Sequence, residues 1–173
     1  MGAWGITMRD SDDGFELLDT IVVEQLRKVE FAAFNVSEAI MLLNQSIQDE
    51  IEKYKKKLPS KITEFYINET LLHNFTHAAL LIAECLDDFY RTGELIVYDY
   101  VGENYDPVEH RIHRFIVTGA DLHHLLAELE RVQGPGHWMQ QCWINEKTCQ
   151  EWLTHIKGVQ RTLNKHMEEV PHG

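Results

Sequence analysis

The amino-acid sequence predicts an all-α fold, a single-domain bundle of five to six helices over residues 1–173, with room for a short strand pair between residues 94 and 117. Three observations predict it. Apolar side chains recur at three- and four-residue intervals along five stretches of the chain, the period of one helix face. Those stretches open at residues that cap helices and close at Gly, Pro or a basic turn. Hydrophobic residues make up 44% of the 173, enough for one core, and no linker-like Pro- or Ser/Gly-rich run and no internal repeat divides the chain.

Helix one is expected to start at Ser11 as N-cap, with Asp12 and Asp13 in the first turn, where carboxylates suit the helix dipole. Phe15, Leu18, Val22, Leu26 and Val29 form its stripe. Helix two repeats the logic, with Ser37 as cap and Ile40, Leu43, Ile47, Ile51, Tyr54 and Leu58 as stripe, and ends in a lysine-rich turn before Pro59. Residues 61–67 read as an extended connector. Helix three runs from about Asn68 to Thr92 and closes at Gly93. Its apolar positions, from Leu71 through Phe89, cover more than half the circumference, so it should pass through the centre of the bundle.

Residues 94–106 fit either a short strand or an ordered loop. Asp106-Pro107 has the form of an N-cap followed by Pro at the first helical position, which predicts a helix over 107–116, with a strand as the other option. A further helix begins after Thr118, carries Leu122, Leu125, Leu126, Leu129 and Val132, and stops at Gly134-Pro135-Gly136. The last helix, capped by Asn145 or a neighbour, places Trp152, Ile156, Val159, Leu163 and Met167 on one face.

Net charge is −12, and it is unevenly spread. Residues 1–52 carry 11 acidic and 3 basic side chains, and residues 62–106 carry 9 and 1, a net −8 in each, whereas residues 107–173 are nearly balanced. Such a field repels nucleic-acid phosphate and anionic lipid and speeds encounter with a basic partner, although the same acidity also serves solubility alone. No apolar stretch approaches the roughly 18 to 20 residues that cross a bilayer, and the N-terminus lacks the pattern of a signal peptide, so a cytoplasmic protein is expected. Three cysteines, Cys85, Cys142 and Cys149, are an odd and sparse set that suits a reducing compartment. Cys85 sits among Leu81, Ile82 and Leu86 and reads as a small buried hydrophobe.

Ten histidines raise the question of metal. On helix three, His73, His77, Glu84, Asp88 and Arg91 fall within about 60° of one another at 100° per residue, one polar stripe opposite the apolar face. We read it as a solvated face with Leu80 in its midst. His73 and His77 have the i, i+4 spacing of a metal clamp, but Glu84 lies roughly 10 Å further along the axis, so other ligands would have to come from His110 and His113 or His123 and His124. His137, Cys142 and Cys149 lack a Cys-x-x-Cys pair. The serines, at 11, 37, 46 and 60, sit at caps, on a helix or beside Pro59, and no Gly-x-Ser-x-Gly elbow or phosphate loop appears. No catalytic residue, metal ligand or cofactor is therefore assigned.

The opening Met1-Gly2-Ala3-Trp4-Gly5, then Ser11-Asp12-Asp13-Gly14 and Leu17-Leu18-Asp19, resembles the start of the bacterial domain-of-unknown-function 4259 family. The segments 78–84 and 89–95 resemble that family's middle helix, and 151–156 its closing helix. The resemblance implies a small helical domain with no established activity, of the kind found beside toxins as immunity proteins. Gly2 and Gly5 would let the chain turn tightly around Trp4, whose ring would plug the bundle; a Trp-lined pocket is the alternative. The function expected is a non-enzymatic protein-binding domain, an immunity-type inhibitor that covers the basic site of a toxin or nuclease. Its partner-binding residues are expected to be Asp10, Asp12, Asp13, Glu16, Asp19, Glu84, Asp87 and Asp88. The alternatives are a metal-dependent bundle enzyme using His73 and His77, and a structural or homodimerising domain.

Overall fold

The computed structural model describes residues 6–21, 33–57, 67, 72–101, 106–143 and 145–168. It is mainly α, with six α-helices and two pairs of short strands among those residues. Trp4, the helix-one residues Val22, Leu26 and Val29, and the connector apart from Ile67 lie outside them.

A 3₁₀ turn, Met8–Asp10, leads into α1 (Asp12–Ile21). Ser11 caps α1 as expected: its Oγ accepts the Gly14 N–H at 3.0 Å and donates to the Met8 carbonyl at 2.7 Å. The turn lies so close on the helix that a Cβ on Gly14 would stand 1.8 Å from the Met8 oxygen. Only glycine fits there.

Strand β1 (Ala33–Asn35) runs directly into α2 (Val36–Lys57). The cap is Asn35, not Ser37: the extended strand end leaves Asn35 Oδ1 to accept the Glu38 N–H at 3.2 Å. Ser37 already lies inside the helix, and its hydroxyl donates to the Asp121 carboxylate at 2.7 and 2.8 Å. The stripe on α2 buries Val36, Ala39, Leu43, Ile47 and Ile51, and Lys55, Lys56 and Lys57 complete its last turn.

Helix α3 (Leu72–Thr92) is the centre of the bundle and packs on α1, α2, α4 (Gly119–Gln133) and α6 (Glu146–Met167). It ends at Gly93, whose φ of +84° suits glycine and whose N–H donates to the Phe89 carbonyl at 2.8 Å. Every residue from 76 to 87 is buried. The middle of the stripe read as a solvated face is therefore inside, with Leu80, His77 and Glu84 no more than 4% exposed, whereas His73 and Asp88 are half-buried and Arg91 is exposed. The reason is that four other helices pack on α3 and cover it from residue 76 to residue 87.

Beyond α3, β2 (Leu95–Val101) and β3 (Asp106–Ile112) form an antiparallel pair in register from Leu95↔Ile112 to Val101↔Asp106. The helix expected over 107–116 is thus a strand, because cross-strand pairing outweighs the local Asp-Pro signal, and a Pro near the start of a strand is tolerated. Leu95, Val97 and Ile112 turn into the core. β4 (Arg114–Ile116) pairs in parallel with β1, setting Phe34 opposite Phe115 with ring centroids 4.9 Å apart. Phe89 of α3 packs on Phe115 at 4.5 Å.

Thr118 and Asp121 form a capping box at the start of α4, with Asp121 Oδ2 accepting the Thr118 N–H at 2.8 Å and Thr118 Oγ1 accepting the Asp121 N–H at 3.2 Å. A four-residue helix, α5 (Trp138–Gln141), follows the Gly-Pro-Gly break. Asn145 caps α6 through the Thr148 N–H at 2.9 Å, and Trp152, Ile156, Val159 and Leu163 are buried along it. No helix among the described residues is long and apolar enough to cross a membrane.

Candidate functional site

Glu84 sits midway along α3, 3% exposed, and a carboxylate so deep is tolerated only when its oxygens are satisfied. Three donors do this. Met8 N–H donates to Oε1 at 2.9 Å and Arg9 N–H to Oε2 at 3.2 Å, so the 3₁₀ turn is hung from the central helix by its backbone. From the other side His155 of α6 donates through Nε2 to Oε1 at 2.9 Å. One side chain therefore ties together the N-terminal turn, the central helix and the last helix.

Asp87 and Asp88 follow one helical turn further on, at i+3 and i+4 from Glu84, and Arg91 two turns on, at i+7. Arg9 forms an ion pair with Asp88 and donates to the Ile96 carbonyl of β2 at 3.0 Å. Arg91 Nη2 meets Asp88 at 2.8 Å and Asp87 at 2.9 Å. These groups, with Tyr98 and Leu18, line a cleft of about 400 Å³. The hydrogen bond that His155 donates to Glu84 is the main reason that the His155 pKa is raised; burial opposes it, the charges of Glu84 and Asp87 add to it, and Arg91 counteracts. Chemically the cleft offers an imidazole fixed by a buried carboxylate, flanked by two guanidiniums that carboxylates hold in place.

The eight acidic residues expected to meet a partner divide. Asp10, Glu16 and Asp19 are exposed, with Thr7 donating to Asp10 at 2.7 Å. Asp12 and Asp13 open α1, but their side chains lie outside the described residues. Asp88 is 35% exposed at its side chain. Glu84 and Asp87, at 3% and 5%, belong to no open acidic face, because their charges are consumed by Arg91, His155 and the Met8–Arg9 amides. That corrects their assignment as surface contacts.

The histidine pair is brought to an aromatic ring. His73 stacks on Trp138 at 3.7 Å and 15°, and His77 tilts against the same indole at 5.4 Å. Burial first, then the neighbouring His73, pushes the His77 pKa down to about 4. His137 also tilts against Trp138, at 5.6 Å, and meets Arg131 at 3.2 Å. Among the described residues no group of three or more His, Cys, Asp or Glu is arranged to hold a metal ion. Cys85 is buried, its thiol pKa pushed up to about 12 by desolvation, while Cys142 is exposed.

Sequence reasoning missed Arg9 and His155. The one available signal was the position of His155 beside the stripe Trp152, Ile156, Val159, where a histidine borders the core and needs a polar partner. No family model matches this chain, and neither does any curated protein or solved structure.

Proposed function

We propose that this protein is a non-enzymatic binding domain of the immunity type, which neutralises a basic bacterial toxin or nuclease in the cytoplasm through an acidic surface. The observation that supports it most is the exposed set Asp10, Glu16 and Asp19 on the N-terminal turn and α1, in a chain of net charge −12. Asp10 stands on a turn whose Met8 and Arg9 amides are held by Glu84, and Glu16 and Asp19 stand on the helix that follows it, so a partner would meet charges on ordered elements. The likeness of the N-terminal segments to the domain-of-unknown-function 4259 family points the same way.

The test is capture, at low salt, of the basic protein encoded beside this one. Association should weaken steeply as salt rises, and Asp10→Asn, Glu16→Gln and Asp19→Asn together should slow the on-rate. Failure to capture it, or association indifferent to salt, rejects the reading. A stable homodimer with no other ligand would instead favour a structural role.

A further inference from the structure

The opposite character appears on α6. His155, Gly158, Arg161, Thr162 and Lys165 fall at i, i+3, i+6, i+7 and i+10, one face of the helix, and with Arg91 of α3 they line a groove of about 460 Å³. Asp87 is the single carboxylate in that lining, and Arg91 engages it through Nη2. Arg161 and Lys165 are exposed and meet no carboxylate among the described residues; Arg161 Nε donates only to the Lys157 carbonyl, at 3.2 Å. Lys165 completes the last turn of α6, where a cation suits the helix dipole, but Arg161 lies a turn earlier and has no such role.

Gly158 is a second, independent observation. It lies in the interior of a 22-residue helix, where glycine is less stable than alanine, and its backbone has no left-handed φ. A Cβ there would meet nothing within 4 Å, so neither close packing nor turn geometry requires its absence. What the missing side chain does provide is an open floor to the groove between His155 and Arg161, where a ligand can approach the helix.

We infer that this groove binds a phosphate group carried by a small molecule, with Arg161 and Lys165 as its charge partners, His155 as a further donor, and Gly158 as the floor that lets the group come close. A guanidinium matches phosphate oxygens in a bidentate fork, and Lys165 supplies a point charge one turn on. Arg91 retains donors beyond Nη2, and His155 is held toward its cationic form by Glu84. The groove adjoins the Glu84 cleft through Asp87, Arg91 and His155, which line both, while its charge partners Arg161 and Lys165 lie outside that cleft.

Calorimetric titration of the full chain at low ionic strength, with inorganic phosphate and with glycerol phosphate as probes, tests this. Saturable binding is expected, tighter for the ester, and weakened at least about tenfold in Arg161→Gln and in Lys165→Gln. Lys147→Gln, on the same helix but outside the groove, should leave it unchanged. Gly158→Ala should weaken binding while raising Tm, a split that a purely structural glycine would not produce. Equal affinity for both probes identifies free phosphate as the ligand and keeps the site. Absence of saturable binding, equal weakening by Lys147→Gln, or Gly158→Ala binding as well as the parent overturns the inference.

Discussion

His77 is buried against Trp138 with its pKa pushed down to about 4, and this has a measurable cost in acid. In the unfolded chain an imidazole titrates near 6.5, so between pH 6.5 and about 4 the unfolded state binds a proton that the folded state refuses. Stability therefore rises with pH across that window. It is complete above 6.5, falls as pH drops, and levels off below about 4. At about 1.4 kcal/mol per pKa unit the loss amounts to about 3 kcal/mol, a large share of the 5 to 15 kcal/mol typical of a domain. The perturbation is His77→Leu, which removes the titration but keeps an apolar group under Trp138. Urea unfolding of both proteins from pH 8 to pH 4 gives two stability curves, and their difference cancels the carboxylates common to both. The difference should change by about 3 kcal/mol in favour of the variant as the solution is acidified. Curves that stay parallel to within about 1 kcal/mol would refute the reasoning, because desolvation of His77 would then have no thermodynamic consequence.

His155 has the opposite sign: its pKa is raised by Glu84, so the stability it contributes is complete below its ordinary value and is lost as pH rises through the folded one. Its ring should titrate above 6.5 in an NMR pH series, and Glu84→Gln should bring it back down. Replacing Glu84 by Ala strands the Met8 and Arg9 amides and His155 together, and should cost about 3 to 5 kcal/mol in urea unfolding, with Gln costing less. Gly14→Ala forces a methyl carbon into the Met8 carbonyl and should cost 2 kcal/mol or more by the same assay, in the range of an overpacking clash; a change below about 0.5 kcal/mol would mean that the 3₁₀ turn is not seated there.

The helical skeleton was legible because periodicity and capping are local. Ser11, Asn145, Gly93 and the Gly134-Pro135-Gly136 break all act where the sequence predicts, and the stripes of α2, α4 and α6 are the buried ones. The failures are non-local. Ser37 has the chemistry of a cap, but its hydroxyl is claimed by Asp121, far along the chain. Asp106-Pro107 has the form of a helix start, yet Val101 lies across from Asp106 and draws it into a strand. The polar stripe of α3 looks like a wet face because periodicity records which residues share a side, not what covers it; Met8, Arg9 and His155 cover it, and their spacing to Glu84 in sequence carries no signal. The same gap hid the Glu84 cleft and the pairing of β1 with β4.

That last pairing has a kinetic consequence. Parallel strands cannot be joined by a tight turn, and the crossover here, from residue 35 to residue 114, contains α2, α3 and the β2–β3 hairpin. Closing so long a loop gives up chain entropy in return for three residue pairs, so β1 and β4 gain from meeting only once the intervening helices have shortened the distance between them. Helices fold on local contacts in microseconds, so the junction at Phe34, Phe89 and Phe115 is expected to form late. Truncating Phe115 should accordingly speed unfolding while leaving the folding rate nearly untouched.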